Sequence, residues 1–344
     1  MSRMIDARQA MQLSKHNAAA KWTEGEQSAA DRLSKGVCVP YREPSFSVSR
    51  DDQIFAVGSC FARNVEERLE AAGACVLSRR LEVRDLGAKT ARAAGIVNKY
   101  TPHSMLQEFL WASGREPFPE ASFLPVSRSE FYDPHLRLRA GRARPDDLLG
   151  RRKELRGYFA QAFRADVIII TLGLIETWFD SRTGVYLNGP PSPYAIKDDP
   201  DRFKFHLLDA DDCADALRQT VDVIKTHSTT SPKFIVTVSP VPLGRTFTSE
   251  DVIIANTTSK VTLRAAAMQV VQEVGGLDYF PSYEAATLSD PAVAWRDDRL
   301  HVSDYMVGRI ISAFLTRYNF TQEPDGEEGA PEVDGRDTVI AELR

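Results

Sequence analysis

Gln53-Ile54-Phe55-Ala56-Val57-Gly58-Ser59-Cys60-Phe61-Ala62 is the stretch that decides the fold. Residues 53–57 are bulky and apolar at Ile54, Phe55 and Val57, which predicts a strand. FARNVEERLEAAG (61–73) follows with Phe61, Val65, Leu69 and Ala72 on one helical face and Gly73 as a stop. A small nucleophilic side chain at such a junction projects past the strand end and sits on the first free N–H groups of the helix. Those groups can bind an oxyanion, and the positive helix end favours a thiolate or alkoxide.

Outward from that junction, two more apolar runs, VIIITL (167–172) and FIVTV (234–238), match residues 54–57 in character. Such runs suit central strands covered on both faces, as in a parallel α/β fold. A helical pattern over 212–226 separates the second and third. A last helix over 304–318 carries Met306, Ile310, Ile311, Phe314 and Leu315 on one side, with Ser303 able to cap it. A further short strand is expected at 277–280. Each long run ends in a conspicuous motif: GSCFA, GLIET and SPVPL. Ligands in open α/β sheets bind beyond the carboxyl ends of the strands, so the site is expected there. The fold class predicted is a three-layer α/β/α sandwich with a central, mostly parallel sheet.

At 344 residues the chain is long enough for one large domain. The expected organisation is an N-terminal arm over 1–50, a catalytic domain over 51–320 and an acidic, disordered tail over 321–344. Within the domain, a lid-like insertion is expected at 102–156. Its Arg-rich end, RLRAGRARPDDLLGRRKELR (137–156), reads either as a solvated flap or as a lid that attracts an anionic substrate. A net charge of -5 argues against general nucleic-acid binding. The four cysteines, Cys38, Cys60, Cys75 and Cys213, are scattered and form neither a disulfide framework nor a metal site by spacing. No segment has the roughly 18 apolar residues of a membrane span, and no secretory leader is visible, so a cytoplasmic location is expected. Neither a dinucleotide fingerprint nor a P-loop occurs, so no cofactor is implied. The oligomeric state is not legible.

A second pattern lies far downstream, in Asp298-Arg299-Leu300-His301. The three-residue spacing lets a carboxylate face an imidazole and hold its orientation and tautomer. Asp297 is the neighbouring alternative for that carboxylate. GSCFA, Asn98-Lys99-Tyr100-Thr101, TLGLIETW (171–178), SPVPL (239–243), SKVTLR (259–264), YFPSYE (279–284) and DRLH (298–301), in that order, resemble the GSCFA domain family over about 50–318. That family is in turn similar to the SGNH/GDSL hydrolases, which are esterases, lipases and carbohydrate O-acyl hydrolases or transferases.

The resemblance implies an acyl esterase or O-acyltransferase acting on a saccharide-type ester through a nucleophile-His-Asp triad. Gly-x-nucleophile spacing places the nucleophile at Cys60, and a frame shifted by one residue places it at Ser59. His301 is the base and Asp298 its orienting acid. For the oxyanion, Gly95 stands where a second-block glycine is expected. Ile175 replaces the usual third-block Asn, which makes Asn98 the substitute donor. Glu176 and Trp178, past the second long run, suit sugar recognition by hydrogen bonding and ring stacking. Lys260 and Arg264, one turn apart, either contact a substrate anion or solvate a helix face. Two rival functions share these residues: a non-catalytic carbohydrate- or carrier-binding domain on the same fold, and a cysteine peptidase.

Overall fold

The computed structural model describes residues 4–81, 95–136 and 142–320. An arm with two helices, α1 (Ala7–His16) and α2 (Ala29–Ser34), leads into β1 (Gln53–Gly58), α3 (Cys60–Ala71) and β2 (Cys75–Val76). Next come α4 (Pro102–Ser113), the short strands β3 (Leu124–Pro125) and β4 (Phe131–Tyr132), α5 (Pro145–Ala160) and β5 (Val167–Leu172). Then follow β6 (Glu176–Asp180), β7 (Val185–Leu187), α6 (Pro193–Asp198), β8 (Phe203–Leu207), α7 (Ala210–His227) and β9 (Lys233–Val238). The chain closes with α8 (Val252–Glu273), β10 (Leu277–Tyr279), α9 (Ser282–Leu288), α10 (Pro291–Ala294) and α11 (Asp304–Arg317).

The three apolar runs lie side by side at the centre of one sheet in the order β2-β1-β5-β9-β10, all neighbours parallel. Chain order therefore reverses between β1 and β5, and the crevice at such a switch point is where doubly wound sheets hold ligands. Strand alternation sends Phe55, Val57, Ile168, Ile170, Phe234 and Val236 into one apolar layer. Ile54, Ala56, Val167, Ile169 and Ile235 go into the other. Helices α4, α5, α7 and α8 cover the first face, and α3, α9 and α11 cover the second. The predicted three-layer sandwich is what forms.

The insertion expected at 102–156 contributes two helices to the core. α4 buries Met105 and Phe109, and α5 buries Leu155, Tyr158 and Phe159, all in the same apolar layer as β1. Of the Arg-rich run, residues 137–141 lie outside the described residues. Arg152 is buried and donates to both Glu108 and Asp133. Lys99, fully buried, reaches Glu108 and the His135 carbonyl. These arginine and lysine charges are spent on buried carboxylates rather than displayed to solvent.

The antiparallel sheet β7-β6-β8 forms a small second layer beside the sandwich, with Leu124, Tyr132, Leu187, Ala195 and Phe203 as its own core. The arm is stitched on through Ser45, whose N–H and hydroxyl donate to Asp278, and through Val48 N–H on the Tyr318 carbonyl. The expected tail over 321–344 lies outside the described residues. No helix among the described residues is long and apolar enough to cross a membrane.

Candidate active site

Gly58 ends β1 with φ at 143°, in the region that favours glycine. A Cβ there would lie 2.1 Å from Thr171 Oγ1 and 2.3 Å from Thr171 O, so no larger residue fits between the ends of β1 and β5. Ser59 is the N-cap of α3. Its hydroxyl accepts from Phe61 N–H at 3.4 Å and donates to Ser239 Oγ at 2.9 Å, and its own N–H donates to Thr171 Oγ1. Both capacities of the Ser59 hydroxyl are used, and the side chain is buried. Cys60 is the first residue of the helix proper and is half-buried, with its sulfur where the helix N-terminus favours negative charge.

The segment 95–101 crosses the switch point. Lys99 N–H donates to Gly58 O at 2.8 Å, and Tyr100 O accepts from Leu174 N–H at 2.7 Å, so this segment ties the end of β1 to the end of β5. Gly95 takes a left-handed φ of 64°, and a Cβ on it would come within 2.7 Å of Asn98 Nδ2. The structure thus brings the two predicted oxyanion residues together. Asn98 is buried, and its amide Nδ2 has no hydrogen-bond acceptor among the described residues, while its backbone carbonyl accepts from Asn188. An unsatisfied buried donor costs about 1–3 kcal/mol. Asn98 also lines a cavity of about 20 Å³ with Gly58, Ala62 and Val97.

Asp298 and His301 meet as the spacing requires. Asp298 Oδ2 lies 2.6 Å from His301 Nδ1, and its Oδ1 accepts the N–H groups of Leu300 and His301. Arg299, with φ at 52°, bends the turn so that one carboxylate can collect all three bonds. Those bonds, that to the imidazole first, hold the Asp298 carboxyl well below the usual carboxylate range. The ring is half exposed, and Nε2 carries no hydrogen bond among the described residues. His301 makes no hydrogen bond to Ser59.

α3 and α11 lie side by side, with Arg68 of α3 donating to the Asp304 carbonyl at the start of α11. Val302 and Trp295 join Phe61 and Val241 in the apolar layer on the second face of the sheet.

Other predicted residues have different employment. Both Glu176 oxygens are taken, by Thr246 Oγ1 at 2.6 Å and Phe247 N–H at 2.8 Å. Trp178 stands edge-on to Phe205 and Phe247. Together they pin the loop after β9 to the small sheet. Ile175 is buried in the core, and its N–H donates to Ser259 Oγ. Arg264 donates to Glu284 and lies over the Tyr279 ring, so neither it nor the buried Lys260 solvates a helix face. Ser239, read in the sequence only as the start of the SPVPL motif, meets Ser59 across β5, a role that exists only once the strands are aligned. Among the described residues no three His, Cys, Asp or Glu side chains gather as a metal site.

The fold is an α/β/α sandwich with the Gly58-Ser59-Cys60 turn at the carboxyl edge of its parallel sheet. The chain belongs to the GSCFA family, whose model matches residues 53–314. No curated protein matches it. A crystal structure of an acetyl esterase variant with an acetate ion overlaps it at 11% identity, over 78% of this chain and 98% of that one, with a TM-score of 0.30. That overlap is too loose to bear on chemistry.

Proposed function

We propose that this protein cleaves or transfers a small acyl group held as an ester, with Cys60 as nucleophile, His301 as base and Asp298 as the group that orients it. The observation that carries the reading is the Asp298–His301 pair, whose 2.6 Å contact to Nδ1 leaves Nε2 open and half exposed. A carboxylate on Nδ1 selects the tautomer in which Nε2 can take a proton. Catalytic contacts of this kind commonly close only in the substrate complex. Ser59 is the weaker nucleophile candidate, since its hydroxyl is buried and engaged on both sides.

In the proposed step, Cys60 sulfur attacks the ester carbonyl as His301 Nε2 takes the thiol proton. The helix N-terminus and the unsatisfied Asn98 amide would hold the oxyanion. The leaving alcohol then takes the proton from His301, and a thioester stays on Cys60. Water as the next acceptor gives an esterase, and a saccharide hydroxyl gives an O-acyltransferase. The engaged Glu176 and Trp178 lend the saccharide part no support.

The test is p-nitrophenyl acetate hydrolysis, with acetylated saccharides as second substrates, by wild type and the Ser59→Ala, Cys60→Ala and His301→Ala variants. Loss with His301 and with only one of the two neighbours supports the reading and names the nucleophile. Activity unchanged in all three variants overturns it. The buried Ile175 in place of a donor favours a second reading, a binding domain without turnover, for which saccharide binding by an inactive wild type would speak.

A further inference from the structure

Lys260, in the middle of α8, is 0% exposed. Its ammonium donates to Gly173 O at 2.8 Å and to Val241 O at 2.7 Å. Gly173 is the first residue past β5. Val241 lies in the loop after β9, two residues beyond the Ser239 that bonds Ser59. The cation is therefore set just behind the Gly58-Ser59-Cys60 turn, where the three central strands end. Lysines are almost never fully buried without a charged partner, because leaving water costs more than two carbonyls return.

The charged groups on the surrounding elements are otherwise committed. Arg264 of α8 is held by Glu284, Glu176 by Thr246 and Phe247, and Asp298 by His301. α3 brings Arg63 and Glu66, each with interactions of its own. Lys260 forms no ion pair with a carboxylate among the described residues, and Cys60 is the titratable group near enough to act on it. Burial pushes the ammonium down to about 7, and Cys60 pulls it the other way.

We propose that Lys260 is a positioning cation of the site, whose ammonium, locked between the carbonyls of Gly173 and Val241, stabilises Cys60 as a thiolate. The inference rests on the reading of Cys60 as nucleophile and deepens it. When the thiolate forms, the S–H proton passes to His301 Nε2 or, in the absence of substrate, on to water, the electron pair stays on sulfur, and Lys260 keeps its three N–H bonds. The sulfur then carries negative charge between the α3 N-terminus and the positive charge that Lys260 holds below its own titration at about 7.

The test is the pH dependence of Cys60 alkylation by iodoacetamide, followed on the Cys60 peptide by mass spectrometry, in wild type and Lys260→Met. The wild-type midpoint is expected below the ordinary thiol value of about 8.5. In the variant it should rise by about one pH unit, roughly a tenfold slower alkylation at pH 7. A folded Lys260→Met protein with an unchanged midpoint overturns the proposal.

Should that variant fail to fold, the reciprocal measurement is available, since coupling between two sites is mutual. Lysine-selective ¹³C NMR of wild type and Cys60→Ala should show the Lys260 midpoint falling when the sulfur is removed. An unmoved midpoint overturns the proposal equally. Ester turnover does not enter either readout. Expected midpoints with no ester hydrolysis would remove the esterase reading alone, and ester hydrolysis with unmoved midpoints would remove the role of Lys260 alone.

Discussion

Ser59 Oγ donates to Ser239 Oγ at 2.9 Å, a bond that passes from the end of β1 to the end of β9 over the end of β5 between them. With Phe61 N–H on its other side, this hydroxyl is a structural clamp. Ser59→Ala should therefore cost about 1 kcal/mol of stability, the usual value of a lost N-cap. It should leave ester hydrolysis within a few-fold of wild type, whereas Cys60→Ala abolishes it. Urea midpoints beside p-nitrophenyl acetate rates check this, and the reverse pattern transfers the nucleophile role to Ser59.

Asp298→Asn keeps an acceptor for the two backbone amides but loses the charge that selects the His301 tautomer. The rate should fall about 10²–10⁴-fold, the span of general acid–base catalysis, with little change in KM. The pair is half exposed, so the thermal midpoint should hardly move. The folded carboxyl is depressed, so its contribution is present above the unfolded value of about 3.9 and fades only as pH falls below it. The acid limb of the rate profile should therefore not move toward the carboxylate range. A limb that tracks Asp298 protonation above pH 4 would contradict this.

Gly58→Ala places a methyl 2.1 Å from Thr171 Oγ1 at a φ of 143°. Overpacking and backbone strain together should destabilise by about 1–3 kcal/mol or more and displace the turn that presents Cys60. Chemical denaturation measures the first effect and alkylation of Cys60 the second. A variant of wild-type stability would show that β1 and β5 can part at no cost.

The buried cluster of Lys99, Glu108, Arg152 and Asp133 holds the segment whose Lys99 N–H binds Gly58 O. Glu108→Gln leaves two buried cations short of one carboxylate, which typically costs about 3–5 kcal/mol. Loss of less than about 1 kcal/mol in urea unfolding would mean that water or Asp133 takes over the charges.

Lys260 gives a pH signature in stability. Its folded value of about 7 lies below the unfolded value near 10.5. Below pH 7 both states hold the proton and the burial cost is fully present. Between about 7 and 10 the unfolded state holds more protons, so this group makes stability rise with pH, by an amount on the order of a few kcal/mol. Cys213 and Tyr279, both pushed up by burial, act in the opposite sense at alkaline pH. The difference between wild-type and Lys260→Met unfolding curves isolates the rise, and a flat difference refutes it.

Much of this was legible in the chain. Local rules suffice for a strand that turns into a helix at Gly58-Ser59-Cys60, since apolar alternation and helical spacing are read within a dozen residues. The Ser303 cap of α11 is equally local, and its hydroxyl accepts Met306 N–H as expected. The Asp298–His301 contact spans three residues and was readable for the same reason. The Arg-rich run is mixed, with Arg144 and Arg156 exposed but Arg152 facing Glu108 and Asp133, because composition cannot distinguish an arginine facing water from a buried one.

The sequence by itself determined the layer architecture and the edge of the sheet at which the site lies. Strand and helix periods dictate which faces must be buried, and parallel strands end their loops at one edge. Only the tertiary structure decided what each polar side chain there does. It spends Ser59 on Ser239, Glu176 on the loop after β9 and Lys260 on two carbonyls behind Cys60, while Asn98 Nδ2 and His301 Nε2 are left open. Those assignments depend on partners from 19 to 180 residues away in the chain. A hydrogen bond is settled by distance in space, and no local pattern encodes that.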